Sequence, residues 1–178
     1  MKLVYLWIES YRCIKNQGYL LNSSYEVKYN TAKKSLLIKE KESIDSLLYG
    51  EKVSITAIVG DNGVGKSTLL DAIRVILFDE KKRKREMKGF LLWEDERKIE
   101  IFNFMEDKIS INGKFPKIEY FPDNFNLIYY SDSLDIKYYL EEFNNNTSEY
   151  NISTAYLLKN STKGILEYFH NDTVLYNF

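Results

Sequence analysis

An α/β fold built around a phosphate-binding loop is predicted by three observations. Residues 60–67, Gly-Asp-Asn-Gly-Val-Gly-Lys-Ser, fit the spacing G-x-x-x-x-G-K-[ST]. Before them, Val53, Ile55, Ala57, Ile58 and Val59 form an apolar, largely β-branched run suited to a buried strand. After them, Leu69, Leu70, Ile73, Ile76 and Leu77 recur at helical spacing. Strand, glycine-rich loop and helix is the arrangement the motif requires, and antiparallel hairpins are expected beside this core.

Taken in order, residues 3–8, Leu-Val-Tyr-Leu-Trp-Ile, lack polar alternation and predict a strand near the centre of a sheet. Strands follow at 25–30 and 35–40, joined by the polar loop Asn30-Thr31-Ala32-Lys33-Lys34. A loop through Gly50 leads into the apolar run, and the helix spans 66–78. Short strands are expected at 90–94, 99–104, 108–111 and 117–121, with Asn112-Gly113 as a tight turn. Leu127-Ile128-Tyr129-Tyr130 reads as a further strand, and helices are expected at 134–143 and 162–169. With 178 residues there is room for one domain and part of another, so 1–130 reads as the nucleotide-binding lobe and 131–178 as the start of a helical subdomain.

Composition narrows the function. The net charge of −1 announces no nucleic-acid partner, and an aromatic content of 15%, mostly tyrosine, marks a globular chain. Cys13 is the only cysteine and His170 the only histidine, which excludes an internal disulfide and a Cys/His zinc cluster. Cys13 reads as a small buried hydrophobe. The first apolar run is cut by Glu9 and Arg12, so it is neither a signal peptide nor a membrane span, and a cytoplasmic protein is expected.

The loop residue types match the chemistry of a triphosphate. A helix N-terminus offers unpaired N–H groups and partial positive charge, and Gly60, Gly63 and Gly65 let the backbone curl close to an anion. The amides from about Gly63 through Val64 to Thr68 are expected on phosphate oxygens, Lys66 on the β- and γ-phosphates, Ser67 on Mg²⁺ and Thr68 on the α-phosphate. The competing reading is a glycine-rich turn that only caps a helix. ATP and Mg²⁺ are the expected cofactors.

Hydrolysis also needs a carboxylate at the end of a neighbouring strand. Val75-Ile76-Leu77-Phe78-Asp79-Glu80 has the literal form of such a strand. A parallel neighbour, however, needs a crossover of about a dozen residues. The segment continues the helical face of Leu69 and Ile73, so a helix end is preferred. Asp132, following Leu127 to Ser131, is the other option, and no residue is assigned as catalytic.

The chain resembles the ABC-type ATPases of the SMC, RecF, RecN and SbcC group, and within it the AAA ATPases of bacterial anti-phage systems such as Septu and OLD-like proteins. The likeness covers most of the chain. It is carried by Gly60-Asp61-Asn62-Gly63-Val64-Gly65-Lys66-Ser67-Thr68-Leu69-Leu70-Asp71-Ala72-Ile73, with Asn62 between the first two glycines, and by Leu6-Trp7-Ile8-Glu9-Ser10-Tyr11-Arg12-Cys13-Ile14. The resemblance implies that Arg12 contacts phosphate or base, against the alternative of an ordinary exposed arginine at a strand end. It also implies a second ATPase head, with two heads sandwiching two nucleotides, and coupling of ATP binding and hydrolysis to DNA binding or a partner nuclease in phage defence. The signature motif, acidic strand and switch histidine of that group are missing here, which marks these residues as an N-terminal lobe of a longer protein or a truncated product. Ser131 and Asp132 fall where the group places a Mg²⁺-sensing loop, without its usual glutamine.

The basic run Lys81-Lys82-Arg83-Lys84-Arg85, with Lys88 nearby, reads as a solvated helix end or as a DNA-backbone contact. Tyr129, Tyr130, Tyr138 and Tyr139 read as packing residues before base-stacking ones. Besides an ATPase lobe, two other functions fit: a nucleotide sensor without hydrolysis, and a self-contained small P-loop kinase or GTPase using Asp79 or Asp132. The absence of an Asn/Thr-Lys-x-Asp motif favours ATP over GTP.

Overall fold

A computed structural model describes residues 2–42, 50, 53, 55–114, 127–129 and 149–151. Its organising element is β1 (Lys2–Tyr11), whose apolar run Val4 to Ile8 is buried throughout. β1 pairs antiparallel with β2 (Ile14–Leu20) on one side and β5 (Lys88–Asp95) on the other, and β5 pairs with β6 (Lys98–Asn103). The resulting four-stranded sheet runs β2-β1-β5-β6. The central position expected for the first strand is the one observed.

A second sheet, in the order β3-β4-β7, is built from β3 (Tyr25–Asn30), β4 (Ser35–Glu40) and β7 (Ser110–Ile111). The predicted hairpin appears with the predicted bounds, whereas β7 is shorter than the predicted 108–111 and pairs parallel to β4. Helix α1 (Lys66–Phe78) also has its predicted bounds and is followed by a short α2 (Glu80–Glu86).

These elements form three layers. Leu69, Ala72, Val75 and Ile76 of α1 share a core with Leu6, Ile8 and Leu91 on one face of the first sheet. Val4, Tyr5, Trp7, Phe90 and Leu92 on the other face share a second core with Tyr25 and Leu36 of the second sheet. Strict alternation could not place both Val4 and Tyr5 in that second core; a register irregularity between Leu3 and Tyr5 of β1 does so by inserting Val4 as an extra residue. Edge-to-face contacts of Tyr29 with Trp7, at 4.9 Å, and with Phe90, at 5.0 Å, lock the two sheets together.

The Asn112-Gly113 turn is present, with positive φ at both central residues (47° and 77°) as a type I′ turn requires. Asn112 does more than turn the chain. Its N–H donates to the Leu36 carbonyl at 2.9 Å, its side-chain Oδ1 accepts from the Ile38 N–H at 3.0 Å, and its Nδ2 donates to the Ile38 carbonyl at 3.3 Å. The side-chain amide thus imitates the next peptide group of β7 and extends the parallel ladder by one step. Asn112→Ala is expected to cost about 2 kcal/mol and Asn112→Gly, which keeps the positive φ, about 1 kcal/mol, read as the shift of a urea unfolding midpoint.

One predicted strand does not form. Residues 55–60 belong to no sheet, and Val53, Ile55 and Val59 are 45%, 53% and 90% exposed. Among the described residues, the segment is held by Ile58 packed against the helix-facing core and by the Thr56 hydroxyl donating to the Leu21 carbonyl at 2.7 Å. Apolar composition is not sufficient for a strand: the ladder needs a neighbour, and among the described residues none lies alongside.

The chain divides into two compact units, 1–121 and 122–178. In the second, β8 (Leu127–Tyr129) pairs parallel with β9 (Glu149–Asn151). The strand expected at 117–121, the helices expected at 134–143 and 162–169, and Ser131, Asp132, Tyr130, Tyr138 and Tyr139 lie outside the described residues. Among the described residues, no helix is long and apolar enough to cross a membrane.

Candidate functional site

The loop between Gly60 and Lys66 is built by two glycines in the left-handed region, Gly63 at φ 84° and Gly65 at φ 97°. Gly65 is the N-cap of α1, and no side chain caps the helix there. The first-turn N–H groups of α1 are therefore not taken up by a capping side chain, as they would be behind Ser, Asp or Asn. An ideal Cβ on Gly65 would sit 3.5 Å from Cys13 Sγ, so the loop rests on the turn between β1 and β2.

Lys66 folds back over the loop it terminates. Its Nζ donates to the carbonyls of Gly60 and Asp61, both at 2.7 Å. An ammonium has three N–H donors, so one remains for a further acceptor. Asn62, Val64 and Ser67 are exposed, and Thr68 is partly buried. Cys13 is exposed, against expectation, with its Sγ 3.6 Å from Thr68 Oγ1. A loop curled around a bound lysine at an uncapped helix N-terminus has the shape and charge of an anion cradle.

Behind the loop lies a buried charge. Asp71, one turn into α1, is 1% exposed; its Oδ2 accepts from the Tyr11 hydroxyl at 2.5 Å and pairs with Arg12 Nη1 at 3.0 Å. Burial, reinforced by the hydrogen bond to Asp71, pushes the Tyr11 phenol well above its ordinary range, so it stays protonated and donates. Arg12 stands at φ 50° and keeps 39% of its side chain exposed, with its guanidinium 5.2 Å from the Tyr11 ring centre. The structure thus sets the Arg12–Cys13 turn against the start of α1, with Cys13 beside Gly65 and Thr68 and Arg12 paired with Asp71. Tyr11 and Asp71 lie within the two stretches that carry the resemblance, but they are 60 positions apart and no spacing rule pairs them, so sequence reasoning assigned neither a role.

Asp79 is accounted for differently. It closes α1 and opens α2, where its side chain accepts from the Lys82 N–H at 2.8 Å, an N-cap contact. The helix-end reading of Val75–Glu80 holds, and the acidic-strand reading does not. Asp79→Ala is expected to lower stability by about 1 kcal/mol and leave nucleotide affinity in Mg²⁺ unchanged; a Mg²⁺-dependent loss of affinity would return Asp79 to the metal site. Among the described residues, no group of three His, Cys, Asp or Glu is placed to hold a metal.

The basic run forms α2 itself, a short helix missed because its residues read only as the end of α1. Much of its charge has partners: Lys84 with Glu80 at 2.5 Å, Arg85 with Glu86 at 2.6 Å, and Lys88 with Glu106 at 3.3 Å. Arg83 is turned inward, donating to the Ile76 carbonyl at 2.6 Å with its guanidinium 4.5 Å from the Phe102 ring centre.

The model of one protein family, described as an AAA domain, matches residues 34–176. The chain belongs to the AAA domain family. The match takes in β4, the loop, both helices and β5 to β9. As an AAA domain the chain is an ATPase-like nucleotide-binding module of mixed α/β architecture. No curated protein and no solved structure matches it.

Proposed function

We propose that this AAA domain binds ATP with Mg²⁺ through residues 60–68 and serves as the N-terminal lobe of an ABC-type, SMC-like ATPase. The observation that carries the reading is the loop in which Gly63 and Gly65 take positive φ before an uncapped helix and Lys66 Nζ is held at the loop mouth. The residues suit the nucleotide: Gly65 takes a φ of 97° that side chains rarely adopt, Lys66 keeps an N–H for a phosphate oxygen, and Ser67 offers an exposed hydroxyl to the metal. In this reading the amides of Gly63 to Thr68 bind phosphate, with Gly60 and Asn62 shaping the turn. ATP supplies the anhydride bond, and the catalytic carboxylate comes from a second head or from sequence beyond the lobe. ATP-driven head closure then governs DNA binding or a partner nuclease, with phage defence as the setting the resemblance favours.

The test is a titration of the 178-residue chain with a fluorescent ATP analogue in Mg²⁺ and again in EDTA. Saturable binding that weakens without Mg²⁺, and no phosphate release by the isolated chain, is the expected result. Absence of binding in both buffers defeats the proposal, and turnover by the chain alone defeats the composite site. With Asp79 engaged in capping α2, a self-contained enzyme using that residue has little support.

A further inference from the structure

We propose that Asp71 is a positioning residue that fixes Arg12 as a phosphate-chain contact beside the loop; this rests on nucleotide binding at residues 60–68. Three observations converge. First, a carboxylate 1% exposed sits in the second turn of the helix that the loop opens, a place where an apolar residue would pack without electrostatic cost. Secondly, its Oδ2 engages both Tyr11, the last residue of β1, and Arg12, the first residue of the following turn. Thirdly, that turn touches the loop: Cys13 Sγ lies 3.6 Å from Thr68 Oγ1 and 3.5 Å from where a Gly65 Cβ would stand. The pair of contacts on one oxygen therefore ties the β1 end to the helix at the level of the anion cradle.

Arg12 is in a backbone conformation that few non-glycine residues adopt, φ 50°, and its guanidinium is neither buried nor free. One nitrogen is committed to Asp71, while 39% exposure leaves other N–H groups of the fork open. A planar fork held at one corner presents its remaining donors in a fixed direction, which suits a phosphate oxygen better than a mobile point charge does. Simple electrostatics predicts the opposite role. A buried negative charge near an incoming triphosphate repels it, so removal of Asp71's charge would strengthen binding if the residue did nothing else. The two roles therefore differ in the sign of one measurement.

The test is the dissociation constant of the full chain for a fluorescent ATP analogue in Mg²⁺, with inorganic tripolyphosphate as competitor and unfolding midpoints measured alongside. Lys66→Ala first establishes the site: if it leaves affinity intact, nucleotide binding at the loop fails, and the Arg12 proposal fails with it. With the site established, Arg12→Ala is expected to weaken binding of both ATP analogue and tripolyphosphate by roughly tenfold. Asp71→Asn should weaken it by a similar factor, yet by less than about twofold in an Arg12→Ala background, because it acts through Arg12. Tighter binding by Asp71→Asn, or equal losses with and without Arg12, overturns the proposal. A loss seen for the ATP analogue but not for tripolyphosphate overturns the phosphate assignment in favour of the base or ribose. Asp79→Ala, destabilised at a helix cap remote in role from the loop, shows whether lost stability alone lowers affinity. Should Asp71→Asn not fold, Arg12→Lys decides: a loss within about threefold of that of Arg12→Ala supports a fixed fork, and wild-type affinity refutes it.

Discussion

Lys66→Ala is expected to weaken ATP binding by about 100-fold while shifting the unfolding midpoint by no more than about a degree. The factor follows from the two kinds of contact that the substitution removes. One is the charge-assisted bond to phosphate oxygens, worth about 3 kcal/mol when it is lost at a desolvated anion. The other is the pair of bonds from Nζ to the Gly60 and Asp61 carbonyls, which hold the loop curled before any ligand arrives. Losing them makes the incoming phosphate order the loop as well. Stability is spared because residues 60–64 are exposed and contribute to neither core. Lys66→Arg should not restore affinity, since a guanidinium fork does not fit a space that holds a single ammonium between two carbonyls. Isothermal titration of the three proteins under one buffer settles the matter, and wild-type affinity in Lys66→Ala would remove the loop from the function of the chain.

The second large effect is on stability. Gly89, in β5 opposite Ile8, has no room for a side chain: a Cβ there would stand 2.2 Å from the Trp7 carbonyl oxygen and 3.0 Å from the Phe104 ring. The first obstacle is backbone in the central strand of the first sheet, which cannot rotate aside as a side chain would. Gly89→Ala is expected to destabilise the chain by about 3 kcal/mol, a fall of roughly 10 °C in Tm. The Phe104 N–H that donates to the Gly89 carbonyl at 3.0 Å is expected to exchange faster in the variant. A loss under about 1 kcal/mol in thermal unfolding would show that β1 and β5 do not approach so closely.

The parts of this fold that could be read in advance are those where local pattern and tertiary surroundings agree. β3 alternates apolar and polar residues, β4 carries the apolar run Leu36 to Ile38 beyond a polar turn, and α1 starts at the lysine of the loop and keeps its apolar stripe to Phe78. β2 was illegible because Lys15, Asn16 and Gln17 carry no apolar signal: it is an edge strand whose pairing with β1 outweighs its composition. α2 was hidden in a charge run, and only the cap at Asp79 separates it from α1. The segment from Val53 to Val59 failed in the other direction, apolar enough for a strand but without a neighbour among the described residues. The loop could be read because its chemistry is contiguous. The Tyr11–Asp71–Arg12 cluster could not, because it exists only once β1 has been folded against α1.

The layering of the molecule bears on how its sequence can drift. Most strands in small antiparallel sheets have one face in water, where substitutions pass with little consequence. β1 and β5 have none along their middles: Leu6, Ile8 and Leu91 meet the helix while Tyr5, Trp7, Phe90 and Leu92 meet the second sheet. Volume changes on either side press on packed atoms, so neighbouring positions of these strands are not independent sites of variation. Neutral change is steered to β2, the outer residues of the β3–β4 hairpin and α2, where side chains are largely exposed. Substitutions are therefore expected to gather on the outer face of the hairpin and on the charged helix, and the most constrained element is a strand whose composition says only that it is apolar.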